Sequence, residues 1–494
     1  MEWLLVIGAL WLGGWSWNKY TEYRDAKRRQ AARWKHNQAG IDSYNRLLAK
    51  AEPVSKPKLN VKQADISSVK LSAEQDKVFN LLETTNDHYY ITGKAGTGKS
   101  VLLQYFAENS GKRVVVVAYT GVAALNVGGQ TINSFFKLPF DIDLDDISVD
   151  YKLREILRNI DTVIIDEVSM VRVDFMEAIS RKLQIARKND EPFGGVQMVM
   201  FGDLYQLPPV VTDGELDRYF KHNYGGYYFF NAPAIKNAGI NIYELSNIFR
   251  QKDPEFKAIL NSIRHGVVKE TQLKELNERA KAQKPDSGFI TLAGHNATVS
   301  AINHKKLAEL PGQERVYEAE IWGNITESSF PTEKKLRLKV GAQVMMLKND
   351  MEKPRRWVNG TLGVVTKLNA DLVRVNIDGV EHTIPLATWD KIQYEYDPET
   401  RILSKKPISS FKQLPIRLAW AITIHKSQGQ TYQSVAIDLS DGAFAHGQAY
   451  VALSRCVSLE GLYLESPIRR EDVIVDPDVV QFMKKAVIVG GNDK

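Results

Sequence analysis

Apolar residues along this chain fall into two rhythms. Short unbroken runs at 89–92, 114–118, 162–165 and 196–201 alternate with stretches of helical spacing such as Val101-Leu102-Leu103-Gln104-Tyr105-Phe106. Continuous runs separated by helices predict strands covered on both faces, the pattern of a doubly wound parallel sheet. A second set, 242–245, 289–292 and 435–438, predicts another sheet of the same class, with a large insertion between its last two members. Inside that insertion, about 306–414, short segments at 344–347, 363–366, 372–377 and 383–386 lie near turn signals such as Asn359-Gly360, which predicts a small β-barrel.

The amino terminus breaks the pattern. Residues 3–17 carry no charge, and Lys19, Arg24, Lys27, Arg28, Arg29, Arg33 and Lys35 follow. A hydrophobic helix over 1–18 is expected, as a membrane anchor or as a partner-binding helix. Fifteen helical residues span about 22 Å against a hydrocarbon core of roughly 30 Å, so crossing requires local thinning or help from the flanks. The basic flank places the remainder on the cytoplasmic face. Residues 19–70, with Pro53 and Pro57, read as a basic helical segment and linker.

At 494 residues and 44% hydrophobic content the chain can bury several cores, which excludes a disordered class. The excess of 65 Lys+Arg over 59 Asp+Glu permits an anionic partner without requiring one. The single cysteine, Cys456, excludes an intrachain disulfide and any cysteine-built metal site.

The chemistry is concentrated at 93–100, Gly-Lys-Ala-Gly-Thr-Gly-Lys-Ser, between a predicted strand and a predicted helix. Gly93, Gly96 and Gly98 let the backbone fold so that N–H groups converge on a polyphosphate, with Lys94, Ala95 and Thr97 filling the loop. Lys99 supplies a charge for the β/γ-phosphates, and Ser100 a hydroxyl for Mg2+. Asp166 and Glu167 end an apolar run at the distance expected of a metal-holding acid and a residue that orients or deprotonates water. ATP and Mg2+ are therefore the expected cofactors.

Further blocks follow the phosphate loop. Gln75, in Leu71-Ser72-Ala73-Glu74-Gln75, carries an amide suited to the adenine edge. Thr120 and Asn126, then Asn133 and Phe135 or Phe136, supply hydroxyls, amides and a stacking ring suited to a single strand, although at least one of the two phenylalanines belongs in the core. Gln206, in Gly202-Asp203-Leu204-Tyr205-Gln206-Leu207-Pro208-Pro209-Val210, stands where a γ-phosphate could be sensed.

These blocks, with Asn247-Ile248-Phe249-Arg250-Gln251, Thr423-Ile424-His425-Lys426-Ser427 and Tyr450-Val451-Ala452-Leu453-Ser454-Arg455, resemble in order the motifs of superfamily 1 helicases. With Pro192-Phe193-Gly194-Gly195-Val196-Gln197 and the basic stretch 181–188 before it, the chain resembles a PIF-type 5′-to-3′ DNA helicase over roughly 71–468. Asn133 departs from the family, which more often has histidine there. The resemblance implies two RecA-like domains of the P-loop NTPase fold, 71–210 and 211–305 with 415–494, and an SH3-like barrel at 306–414. It also implies a wedge at 138–159, arginines Arg250 and Arg455 reaching the phosphates, and Thr423, His425 and Ser427 on the DNA backbone. A monomer working on single-stranded and forked DNA is expected, cytoplasmic and DNA-associated, with residues 3–17 as a tether to the inner face of a membrane. The alternatives are a translocating ATPase that remodels protein–DNA complexes, and a membrane-tethered DNA-binding scaffold.

Overall fold

The computed structural model describes residues 70–489 apart from 140–141, 212, 252, 286–287, 326, 328–329, 353–354, 370–371 and 398–401, all within one compact unit, Ala64–Lys494. The hydrophobic helix expected at 1–18 and the basic segment up to 69 lie outside the described residues. Among the described residues no helix is long and apolar enough to cross a membrane.

The first lobe starts at a capping box. Ser72 N–H donates to Gln75 Oε1 (2.9 Å) and Gln75 N–H to Ser72 Oγ (3.3 Å), which launches the helix Ala73–Thr84. Strands β1 (His88–Gly93), β2 (Val114–Ala118), β3 (Gln130–Thr131), β4 (Thr162–Asp166), β5 (Gln197–Phe201) and β6 (Ile240–Leu245) follow. All pair in parallel, in the order β6-β1-β5-β4-β2-β3. Apolar clusters cover both faces, one through Val163, Ile165 and Met198, the other through Val78, Leu102 and Ile164. Strands buried on two sides explain the unbroken apolar runs.

One expectation is overturned here. Residues 242–245 do not open the second sheet, because β6 pairs with β1 from His88↔Ile240 to Gly93↔Leu245. An apolar run predicts a strand but not its neighbour. The first lobe therefore extends to about 245 and not to 210.

The second lobe opens with the helix Pro254–Arg264 and β7 (Ile290–Ala293), after which the insertion departs. It holds β8 (Arg315–Glu318), β9 (Glu320–Trp322), β10 (Lys335–Leu338), β11 (Gln343–Met346), β12 (Leu362–Leu368), β13 (Val373–Ile377), β14 (Val380–Ile384), β15 (Ala387–Asp397), β16 (Ile402–Gln413) and β17 (Ile416–Leu418). Five form an antiparallel sheet, β14-β13-β12-β11-β17, over its own core of Leu336, Val344, Trp357, Val375 and Ile416. The long β15–β16 pair was not expected. It docks on the first lobe, where the Tyr394 hydroxyl accepts the Val116 N–H (3.1 Å) and Gln130 Nε2 donates to the Ile392 carbonyl.

Strands β18 (Ala421–Thr423), β19 (Val435–Asp438) and β20 (Leu462–Leu464) join β7 in a second parallel sheet, β18-β7-β19-β20. The chain then returns, and β21 (Val487–Val489) adds in parallel to β6 of the first sheet.

The segment 138–159 is only partly the projection expected of a wedge. Its second half is the helix Tyr151–Asn159, whose Leu153, Ile156 and Leu157 are buried in the first-lobe core. In the described part of its first half, Ile142, Leu144 and Ile147 pack partly buried against the same core, while Asp143, Asp145, Asp146 and Ser148 are exposed. The basic stretch pins them: Arg181 Nη1 donates to the Leu144 carbonyl (2.6 Å) and Lys182 Nζ to that of Ser148 (2.8 Å).

Candidate nucleotide and nucleic-acid sites

Strand β1 delivers the chain into the phosphate loop, and the helix Lys99–Asn109 leaves it. Gly98 sits at φ 80°, the left-handed region glycine favours, and caps that helix. Gly96 is required by proximity as well: a Cβ there would collide with that of Arg250. Thr97 Oγ1 donates to the Lys94 carbonyl (3.0 Å), which closes the loop on itself. Lys99 Nζ donates to the carbonyls of Gly93 (2.6 Å) and Lys94 (3.1 Å), so its charge is stored over the cradle. Burial lowers its pKa, opposed by the charges of Asp203 and Glu167. Ser100 is exposed at the helix start.

Asp166 ends β4, and Glu167 follows with φ 50°, an uncommon conformation for glutamate. The Glu167 N–H donates to Asp166 Oδ1 (3.0 Å). Burial, with the Glu167 charge beside it, pushes the Asp166 carboxyl up to about 7, and burial raises Glu167 as well. Two acids lifted in this way, facing Lys99, make a site that favours added positive charge.

Gln206 is buried, and its Nε2 donates to Asp203 Oδ2 (3.3 Å). Gln75 Nε2 donates to the Gly98 carbonyl (3.2 Å), which ties the first helix to the phosphate loop.

Several second-lobe residues converge on this region. Arg250 donates to the carbonyls of Ser454 (3.3 Å) and Gly429 (3.4 Å), and burial beside Arg455 brings its pKa down to about 9. Among the described residues neither guanidinium is bonded to a carboxylate, which suits an anion between the lobes. Arg455, 1% exposed, donates to the carbonyls of Val451, Ser427 and Gln430 and to Ser454 Oγ, so its bonds lie within its own lobe while its charge acts on Glu167. Sequence reading missed three groups here. The Tyr450 hydroxyl accepts the Ala95 N–H, His446 Nε2 lies 2.7 Å from the Leu204 carbonyl oxygen, and Arg264 pairs with Asp203. Tyr450 lay within a quoted block, but nothing local marked Arg264 beyond its place at a helix end.

The expected DNA contacts fare unevenly. Thr120 caps the helix Gly121–Asn126 by accepting the Ala123 N–H, and the side chain of Asn126 lies outside what is described. Asn133 Nδ2 donates to the Leu138 carbonyl (3.1 Å), which closes a turn. Phe135 is corrected: only 4% exposed, its ring meets Phe136 at 4.8 Å and Tyr394 at 5.5 Å. The docked hairpin covers the face on which a base would stack. Thr423 and Ser427 are buried, and Ser427 Oγ donates to the Ile424 carbonyl (2.7 Å), which removes that hydroxyl from any groove. His425 is half-buried, and burial lowers its pKa. Their neighbour Lys426 instead lines a cavity of about 450 Å³ with Asn296, His304, Lys334, Arg337 and Arg417.

The 192–197 turn and the basic stretch before it serve structure. Phe193 is buried at φ 56°, its N–H donating to Ser180 Oγ (3.0 Å). Arg187 donates to the carbonyls of Gly194 (2.8 Å) and Arg158 (3.0 Å).

A phosphate loop on one parallel sheet, faced by arginines on a loop and a helix end beside a second parallel sheet, defines a two-lobed P-loop NTPase of the helicase type. The chain belongs to the PIF1-like helicase family. Residues 70–274 match its family model, and 323–368 match that of the DNA helicase Pif1 2B domain. The ATP-dependent DNA helicase Pif1 of Bdellovibrio bacteriovorus is 36% identical over 432 residues, covering 85% of this chain and 93% of that protein. A crystal structure of Bacteroides sp Pif1 in complex with ADP-AlF4 superposes with a TM-score of 0.78 at 39% identity, covering 84% of this chain and 97% of that one. Bacteroides Pif1 bound to ssDNA gives 0.62 at 40% identity and the same coverage of both chains. The protein is an ATP-dependent DNA helicase.

Proposed function

We propose that this chain hydrolyses ATP between its lobes and converts the closure of that cleft into 5′-to-3′ movement on single-stranded DNA and separation of a duplex ahead. The observation that carries this reading is the set of direct bonds from second-lobe Tyr450, His446 and Arg264 to first-lobe segments 95 and 203–204. Through such bonds a change at the phosphates moves one lobe against the other. Lys99 would meet the β/γ-phosphates, Glu167 would orient water, Gln206 would sense the γ-phosphate, and Arg250 and Arg455 would stabilise developing charge.

The residues fit Mg2+. Asp166 and Ser100 supply oxygen donors, and among the described residues the two raised acids have no cation in hydrogen-bond contact. Among the described residues no cluster of three or more acids, histidines or cysteines forms an all-protein cage, as suits an ion shared with phosphates. When bound, the ion would neutralise phosphate charge.

Bacteroides Pif1 has been solved bound to ssDNA and in a study of forked dsDNA, which supports the same DNA partners here. The basic cavity around Arg337, Arg417 and Lys426 is the second-lobe path proposed for the strand. We further assign the inserted sheet to the SH3-like barrel class. One chain supplies both sides of the cleft, which supports action as a monomer. Residues 3–17 are assigned as a membrane contact on the strength of their uncharged run and basic flank.

The test is unwinding of forked and tailed duplexes with ATPase measured alongside. Unwinding that needs a 5′ tail, with Lys99→Ala silent in turnover yet still binding single strands, is the expected result. ATPase stimulated by single strands without any strand separation would favour the translocating remodeller, and near-normal turnover in Lys99→Ala would overturn the site.

A further inference from the structure

The first-lobe segment that bears Gln206 is held from the opposite lobe by a residue outside every nucleotide-binding block. Arg264 ends the helix Pro254–Arg264, which packs against the second-lobe helix Gln448–Leu453. Its guanidinium, 1% exposed, crosses the cleft. Nη2 donates to Asp203 Oδ1 at 3.1 Å, Nη1 donates to Glu244 Oε1 at 3.0 Å, and the plane lies 4.3 Å from the Tyr205 ring centroid. The Asp203 side chain is fully covered, and its other oxygen accepts Gln206 Nε2. Below Asp203 the backbone repeats the link, since Gln206 N–H donates to the Asp203 carbonyl at 2.9 Å.

A charge pair buried on both sides cannot slide, because separating it strands two charges away from water. The tie therefore transmits displacement. A second-lobe loop reinforces it: a Cβ on Gly447 would collide with the carbonyl of Tyr205, so 446–447 lie flush against 204–206. Arg264 also gives Asp203 a counter-ion other than Lys99, on which Asp203 acts more strongly than any other carboxylate.

We propose that Arg264 is a positioning residue that couples Gln206 to the second lobe, carrying Asp203 and the Gln206 amide toward or away from the terminal phosphate as the cleft closes or opens. This rests on the reading of Gln206 as the γ-phosphate sensor. Arg264 itself touches no phosphate.

The experiment uses the full-length protein and compares Gln206→Ala, Asp203→Asn/Arg264→Gln, the triple variant and Arg264→Lys. The paired substitution leaves no ion pair to break at Asp203 and frees only the part-exposed Glu244, so melting temperature should fall modestly while single-strand affinity stays near wild type. Its single-strand-stimulated kcat should fall on the order of 10²-fold, the scale for removing a preorganised donor, while KM for ATP stays within a few-fold. Adding Gln206→Ala should cost nothing more, because the two act as one unit. Arg264→Lys keeps the charge but not the two-acid fork, and should lose about tenfold in kcat with KM unchanged. Wild-type turnover in the paired variant, a loss that multiplies with that of Gln206→Ala, or an Arg264→Lys effect confined to melting temperature would each overturn the proposal. Wild-type turnover in Gln206→Ala alone would remove the sensor reading first, and the proposal with it.

Discussion

The hydroxyl of Tyr450, on the second-lobe helix Gln448–Leu453, accepts the backbone N–H of Ala95 in the phosphate loop at 3.2 Å. Burial and the nearby Asp203 charge push the Tyr450 phenol up to about 12, so it remains a neutral group at working pH. The contact holds the second lobe against the nucleotide cradle. Tyr450→Phe keeps the ring and deletes the bond, worth roughly 0.5–1.5 kcal/mol. Turnover stimulated by single strands should fall by about two- to tenfold, with melting temperature nearly unchanged. Steady-state ATPase with and without DNA measures this, and an unaltered stimulation factor would reduce Tyr450 to a packing residue.

Asp166 predicts a pH dependence. Its pKa in the folded chain is raised to about 7 by burial and by Glu167, above the ordinary 3.8, so the folded state holds this proton more tightly than the unfolded one. That stability contribution is fully present below about pH 4 and is lost as pH rises through about 7. A cation needs the carboxylate, so apparent Mg2+ affinity should rise from pH 6 and level off above 7, by at most about tenfold per unit for one proton. Titrating Mg2+ in the ATPase assay at pH 6, 7 and 8 measures the slope. Asp166→Asn should flatten it, and a pH-independent requirement in the wild type would remove Asp166 from the metal.

Phe135→Ala should cost about 3–5 kcal/mol of stability, because the ring is buried between Phe136 and Tyr394. Single-strand affinity should change little. Thermal unfolding beside fluorescence anisotropy separates the two effects, and weakened DNA binding at unchanged stability would restore the stacking role.

Full-length protein should fractionate with anionic membranes and resist salt extraction, whereas a truncation beginning at Lys56 should not sediment with them and should keep its ATPase. In the proposed membrane contact the apolar run 3–17 would supply burial, and the basic flank would add about 1 kcal/mol per residue near the surface. Full-length protein that stays out of the membrane fraction at low salt would make 3–17 a partner-binding helix.

The phosphate loop was legible in the chain because its parts are contiguous: three glycines, a lysine and a serine between a strand and a helix specify the cradle before anything else folds. Asp166 and Glu167 were legible for a related reason, since an apolar run predicts the strand and the acids mark its end. The family blocks extended this to Gln206, Arg250 and Arg455 as positions, but not to their bonds. Phe135 shows the limit. Its local string suits either a stacking ring or a core ring, and the decision fell to Tyr394, 259 positions away (394 − 135), on a hairpin whose docking no local pattern encodes.

The same reason separates the rest. The strands written as continuous apolar runs, the order of the motifs and the phosphate loop followed from the sequence alone, because periodicity and short loops are properties of neighbouring residues. The membership of β6 and β21 in the first sheet was decided only in three dimensions, as was the burial of Ser427 and the reach of Arg264 to Asp203. Each depends on which surfaces meet. Hydrogen-bond partners and buried counter-ions are chosen by packing between lobes, where groups remote in sequence satisfy each other away from water.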